Sequence, residues 1–150
     1  MRDQIIAALK EAMKNKDKVR LSALRLMQAT LKDRDIAARG EGKDGGISDE
    51  EALQVLAKMV KQRQESAEMY DQAGRVELAD KERQEIAVIQ DFMPKQLSQE
   101  EAEQIVAKLV ADLEAGSLKD MGRVMGELKK NYAGQMDFGK VGGFLKSLLS

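Results

Sequence analysis

The residues that could do chemistry in this 150-residue chain are mostly carboxylates, lysines and glycines, because it has no histidine and no cysteine. That removes thiolate nucleophiles, disulfide scaffolds, Cys/His zinc sites, Ser-His-Asp triads and Glu-x-x-His di-iron motifs together. Two carboxylate groups remain: Glu82, Glu85 and Asp91 on one long helical pattern, and Asp49, Glu50 and Glu51 at the start of another. General acid–base work needs carboxylates that converge in altered environments. The first group is interleaved with Lys81 and Arg83, as on a solvated helix, and the second is explained by helix capping. No Gly-x-Ser-x-Gly elbow exists, and no serine–lysine pair sits in a glycine-rich setting. No catalytic residue, metal ligand or cofactor is therefore expected, nor is group transfer by the chain alone.

Glycine-rich chemistry has two candidates. The loop GEGKDGG (40–46) follows a helix rather than a strand, and Asp44 stands where a phosphate-binding loop needs Ser or Thr, so it reads as a flexible connector. The stretch DMGRVMGELKK (120–130) asks more. Met121, Val124, Met125, Leu128 and Tyr132 form one apolar helical face, while Gly122 and Gly126 share an adjoining stripe with Lys129 and Lys130, beside Arg123 and close to Lys119. An interior helical glycine costs roughly 1 kcal/mol relative to alanine. Two of them mark either close packing of a neighbouring helix or a bare surface that a phosphate backbone can approach, flanked by cations.

The elements that must position these residues are helices. Net charge is −1, but it is unevenly spread: residues 10–39 carry nine bases against four acids, 47–94 six against eleven, and 117–150 six against three. Opposed charges on the first two segments fit neutralisation within a bundle or the docking of a protein partner. Serine-led capping boxes at Ser48, Ser98 and Ser117 mark helix starts, and the single proline, Pro94, closes a long helical pattern. The periodicity predicts seven helices, near 2–15, 17–39, 48–73, 76–92, 98–115, 117–132 and 137–149. Their apolar faces are led by Ile5, Ile6, Leu9 and Met13; Leu21, Leu24, Met27, Leu31 and Ile36; Leu53, Leu56, Met59, Val60 and Tyr70; and Val76, Leu78, Ile86, Ile89 and Phe92. Met27, Met59, Met69, Met121, Met125 and Met136 read as core filling. No strand pattern and no internal repeat at a fixed period is evident. The fold class is all-α, with an N-terminal long-helix bundle over 1–93 and a small C-terminal three-helix domain over 94–150, which holds seven of the twelve glycines. The N-terminus does not read as a signal peptide and no run approaches a membrane span, so a cytoplasmic location is expected.

Three stretches carry a resemblance: LSALRLMQATLKDRDI (21–36), VLAKMVKQRQESAEMYDQAGRVELADKERQEIAVIQDFMPKQLSQEE (55–101) and KDMGRVMGELKK (119–130). The chain resembles the GatB/YqeY family, and most closely its free-standing YqeY-like members. The resemblance implies an N-terminal helical domain and a C-terminal three-helix domain. It also implies kinship with the tail of the GatB subunit of the glutamine-dependent amidotransferase that converts misacylated Glu-tRNA(Gln) or Asp-tRNA(Asn). That tail helps hold the tRNA, and its glycine–lysine motif aligns with Met121, Gly122, Val124, Met125, Gly126 and Lys129 or Lys130. GatB's catalytic cradle and the amidase's serine machinery have no counterpart here, so a carbon–nitrogen ligase label with glutamine as amido donor attaches only through the shared domain. The resemblance thus points to a tRNA- or RNA-binding accessory using Lys119, Gly122, Arg123, Gly126, Lys129 and Lys130. The alternative is a helical interaction module docking a synthetase or amidotransferase subunit.

Overall fold

A computed structural model describes all residues, 1–150. The secondary structure is entirely helical: α1 (Arg2–Asn15), α2 (Lys18–Gly40), α3 (Asp49–Gln72), α4 (Val76–Gln90), α5 (Gln99–Asp112), α6 (Met121–Tyr132) and α7 (Phe138–Leu149), with a 3₁₀ turn at Leu118–Asp120 before α6. The chain divides into two compact units, Met1–Met93 and Pro94–Ser150.

Local chemistry explains most helix boundaries. At Ser48 and Ser98 both capping boxes form: each serine hydroxyl accepts from the amide three residues on at 3.1 Å, while Glu51 and Glu101 accept from the serine amides. Those amides lead in holding both glutamates below the usual carboxylate range. Ser117 departs from the expectation. Its side chain makes no capping bond, and Asp120 instead accepts from the Gly116 amide at 3.0 Å, so the first turn there winds as 3₁₀ and the α-helix begins only at Met121. Gly74 ends α3 in the left-handed region (φ 73°), where glycine carries no Cβ penalty.

In the first unit the core is built from Ile5, Leu24, Met27, Leu31, Leu56 and Ile89, together with the buried Ala12, Ala23 and Ala52. The expected faces are shifted at several positions. Ile6, Met13, Ile36, Val76 and Leu78 are exposed, and Met69, expected in the core, is 69% exposed. In α1 the buried pair is Ile5 and Ala12, so the helix turns the neighbouring Ile6–Met13 strip outward. One buried ion pair stitches α3 to α4: Arg63 donates to Glu85 at 3.1 Å and to the Met59 carbonyl at 3.2 Å. Arg20 and Asp91, 3.0 Å apart, link the basic and acidic segments.

The second unit packs α5, α6 and α7 around Val106, Val124, Leu128, Val141 and Leu145, all essentially inaccessible. Full burial of side chains of this size contributes about 1.5–3 kcal/mol each, enough to seat a short helix that two glycines would otherwise weaken. The segment entering α5 is fastened to the α6–α7 joint by the Leu97 amide donating to the Gln135 carbonyl at 2.8 Å.

Candidate nucleic-acid interface

Helix α6 is anchored at its start by Asp120 and Arg123. Arg123 donates to the Leu113 carbonyl at the end of α5, 2.9 Å away, and lies 3.3 Å from Asp120. The Gly116 and Ser117 amides, with the Arg123 charge, hold the Asp120 carboxyl below its ordinary value. Arg123 is thus a tether between helices as well as a surface cation, a role its spacing alone did not reveal.

Beyond that anchor the helix divides cleanly. Val124 and Leu128 are fully buried, with Met121, Met125 and Tyr132 packed partly against them. At 3.6 residues per turn, Lys129, Gly122, Gly126, Lys130 and Arg123 follow one another around about a third of the circumference, with no acid among them. All five are exposed, and neither Lys129, Lys130 nor Lys119 takes part in an ion pair. Glu127 lies on the far flank, within reach of Asn131 at 3.4 Å.

The surroundings of the glycines bear on the close-packing reading of this stripe. A Cβ added at Gly122 or Gly126 would meet nothing within 4 Å. No helix of this unit packs on them, so within this unit the stripe is a bare, positively flanked stretch of helix surface.

A second copy of the pattern lies in α7, contrary to the expectation that the chain has no repeat. Offset by 17 residues, DMGRVMGELKKNY (120–132) matches DFGKVGGFLKSLL (137–149) at Asp, Gly, Val, Gly, Leu and Lys, with Lys140 in place of Arg123. The match is structural too. Both helices are 12 residues long; Val141 and Leu145 are buried as Val124 and Leu128 are; and Gly139, Lys140, Gly143 and Lys146 are exposed like their counterparts. A Cβ at Gly143 also meets open space. Two helices therefore turn the same Val–Leu face inward and the same glycine–cation face outward. The signal was legible as the paired G-[RK]-V-x-G-x-L-K strings but is diluted by Met125/Gly142 and Glu127/Phe144.

The other candidates resolve into structural roles. Glu85 is committed to Arg63 and Asp91 to Arg20. Lys43 of the glycine loop reaches Glu51 at 3.4 Å. The end of that loop is pinned: Asp35, which is buried, accepts from the Ile47 amide at 3.0 Å and holds Arg2 through both guanidinium nitrogens. Gly46, at φ 79°, lies so close that a Cβ would overlap the Asp35 carboxylate.

The family model for Yqey-like proteins matches residues 2–149, the whole helical array described above. The chain belongs to the YqeY-like family. Among curated relatives it is similar to "Altered inheritance of mitochondria protein 41, mitochondrial" of Candida glabrata, 37% identical over 67% of this chain and 53% of that protein. It is similar also to the protein of the same name from Vanderwaltozyma polyspora, 32% identical over 70% of this chain and 56% of that one. The chain thus spans about half the length of the curated relatives it matches. Those names place the yeast proteins in mitochondria, and no helix of this YqeY-like chain is long and apolar enough to cross a membrane.

Proposed function

We propose that this YqeY-like chain is a non-catalytic RNA-binding accessory protein, with tRNA as its ligand class and α6 as its principal contact. The observation that carries the reading is the open space over Gly122 and Gly126 beside unpaired Lys129 and Lys130. A helix keeps two interior glycines, at roughly 1 kcal/mol each, with no neighbour to accommodate. A ligand that must approach the backbone supplies the missing reason, and the flanking cations suit phosphates. The equivalent face of α7 extends the same chemistry with Lys140 and Lys146. Aromatic residues make up only 3% of the chain, so recognition by backbone and shape, rather than base stacking, is the expected mode. The resemblance to the amidotransferase tail supports tRNA in particular, and on this reading the chain works in the cytoplasm beside aminoacyl-tRNA metabolism, with no cofactor.

Fluorescence anisotropy of labelled tRNA across a salt series tests this, comparing the native chain with Lys129→Glu/Lys130→Glu. The native chain should bind with a steep salt dependence, and the variant should lose about one unit of log–log slope per lysine removed. Equal affinity and slope for both proteins would remove these lysines from the interface.

A further inference from the structure

The α1–α2 seam in the first unit carries a feature that RNA binding does not use. A cavity of about 200 Å³ opens there, lined by Ile5, Ile6 and Leu31 together with Gln28 and Lys32. Asp35, also in the lining, is paired with Arg2. Along α1, Ile6, Leu9 and Met13 fall within about a sixth of the circumference and, from first to last, span two turns, about 10 Å. Ile6 is 42% and Met13 52% exposed. Around α1, Lys10, Asp3 and Lys14 follow Ile6 in turn, and on α2 the exposed Arg25 shares a face with Lys32, two turns away; none of the four cations is in an ion pair.

An apolar seam of that length with a cavity for one side chain, with four unpaired cations on the adjoining helix faces, Asp3 among them and Asp35 already paired with Arg2, matches the helix-in-groove mode of recognition. We propose that the α1–α2 seam docks an acidic amphipathic helix of a protein partner. One large apolar residue of that helix enters the cavity, apolar residues one and two turns away lie on Ile6 and Met13, and its carboxylates face Lys10, Arg25 and Lys32. The charge selects the partner's sign and steers its approach. Nucleic acid offers the sign without the apolar anchors, which is why a protein helix is the better occupant.

The experiment is selection of a displayed library of helical peptides of about four turns on the full chain, followed by anisotropy titration of the enriched sequences. Enrichment should yield Leu, Ile or Met at i, i+3 or i+4, and i+7 with Asp or Glu on the flanks. Those peptides should bind at least tenfold more weakly to Ile6→Glu/Met13→Glu and to Arg25→Glu/Lys32→Glu. The second variant alters only exposed, unpaired cations, so it carries the test if the first melts early. Failure to enrich acidic amphipathic sequences, or equal binding to native chain and variants, overturns the proposal. So does selective binding of tRNA or of anionic phosphatidylserine vesicles at these residues without an enriched peptide. Lys129→Glu/Lys130→Glu should leave peptide binding intact, which separates this site from the α6 surface.

Discussion

Replacing Gly122 and Gly126 with alanine should move stability and RNA affinity in opposite directions. Both residues have ordinary helical backbone and open space where the methyl would go, so the substitution adds no clash. Each should stabilise α6 by about 0.5–1 kcal/mol through reduced unfolded-chain entropy, or about 1–2 kcal/mol for the pair. In a domain the size of Pro94–Ser150, each kcal/mol corresponds to roughly 4–8 °C, so calorimetry should show a rise of several degrees in the transition of that unit. The same two methyls cover the surface that a phosphate backbone must approach. A tenfold loss of tRNA affinity, about 1.4 kcal/mol, is the expected scale, with a salt slope close to native because no cation is removed. Stabilisation with unchanged affinity would show that RNA does not read the glycines. A fall in stability would show that the space over them is filled, and would refute the reasoning at its structural step.

Three further outcomes follow from the same geometry. Lys140→Glu/Lys146→Glu on α7 should weaken tRNA binding and reduce the salt slope by about one unit per lysine, as measured by anisotropy, while leaving thermal stability near native because both side chains are exposed. Gly46→Ala should destabilise the first unit by about 2 kcal/mol or more, since the residue is left-handed and its methyl meets the Asp35 carboxylate; urea unfolding measures it. Asp35 itself sits below its ordinary value of 3.8 because Arg2, and then the Ile47 amide, favour the ionised form against the effect of burial. It therefore contributes stability above that ordinary value and loses it as pH falls through the lower folded value; Asp35→Asn should flatten this part of the urea-midpoint profile below pH 3.8.

What sequence could convey varied by mechanism. The starts at Ser48 and Ser98 were legible because a capping box is a local device, complete within four residues. Ser117 has the same letters, yet Asp120 turns to the Gly116 amide and to Arg123, a choice made by the adjoining end of α5. Apolar periodicity identified every helix but misjudged faces in α1, where Ile5 and Ile6 are adjacent and Ala12 rather than Met13 completes the buried side. Alanine carries little apolar weight in a pattern, although Ala12, Ala23 and Ala52 are among the most buried residues of the core. For the α6 surface, spacing placed the glycines and lysines on one stripe and stopped there. Whether a helix covers Gly122 and Gly126 is a tertiary fact, and so is the tethering of Arg123.

Amide chemical shifts of the glycines give the most direct test of the central claim, because a ligand seated on a bare helix surface must perturb the backbone it touches. In a titration of the isotopically labelled full chain with tRNA, the Gly122, Gly126, Gly139 and Gly143 amides should shift or broaden together at low salt and recover at high salt, while Gly74 stays in place. Shifts confined to the first unit, or glycine signals of α6 and α7 that do not respond at saturating tRNA, would contradict the assignment of this surface to RNA.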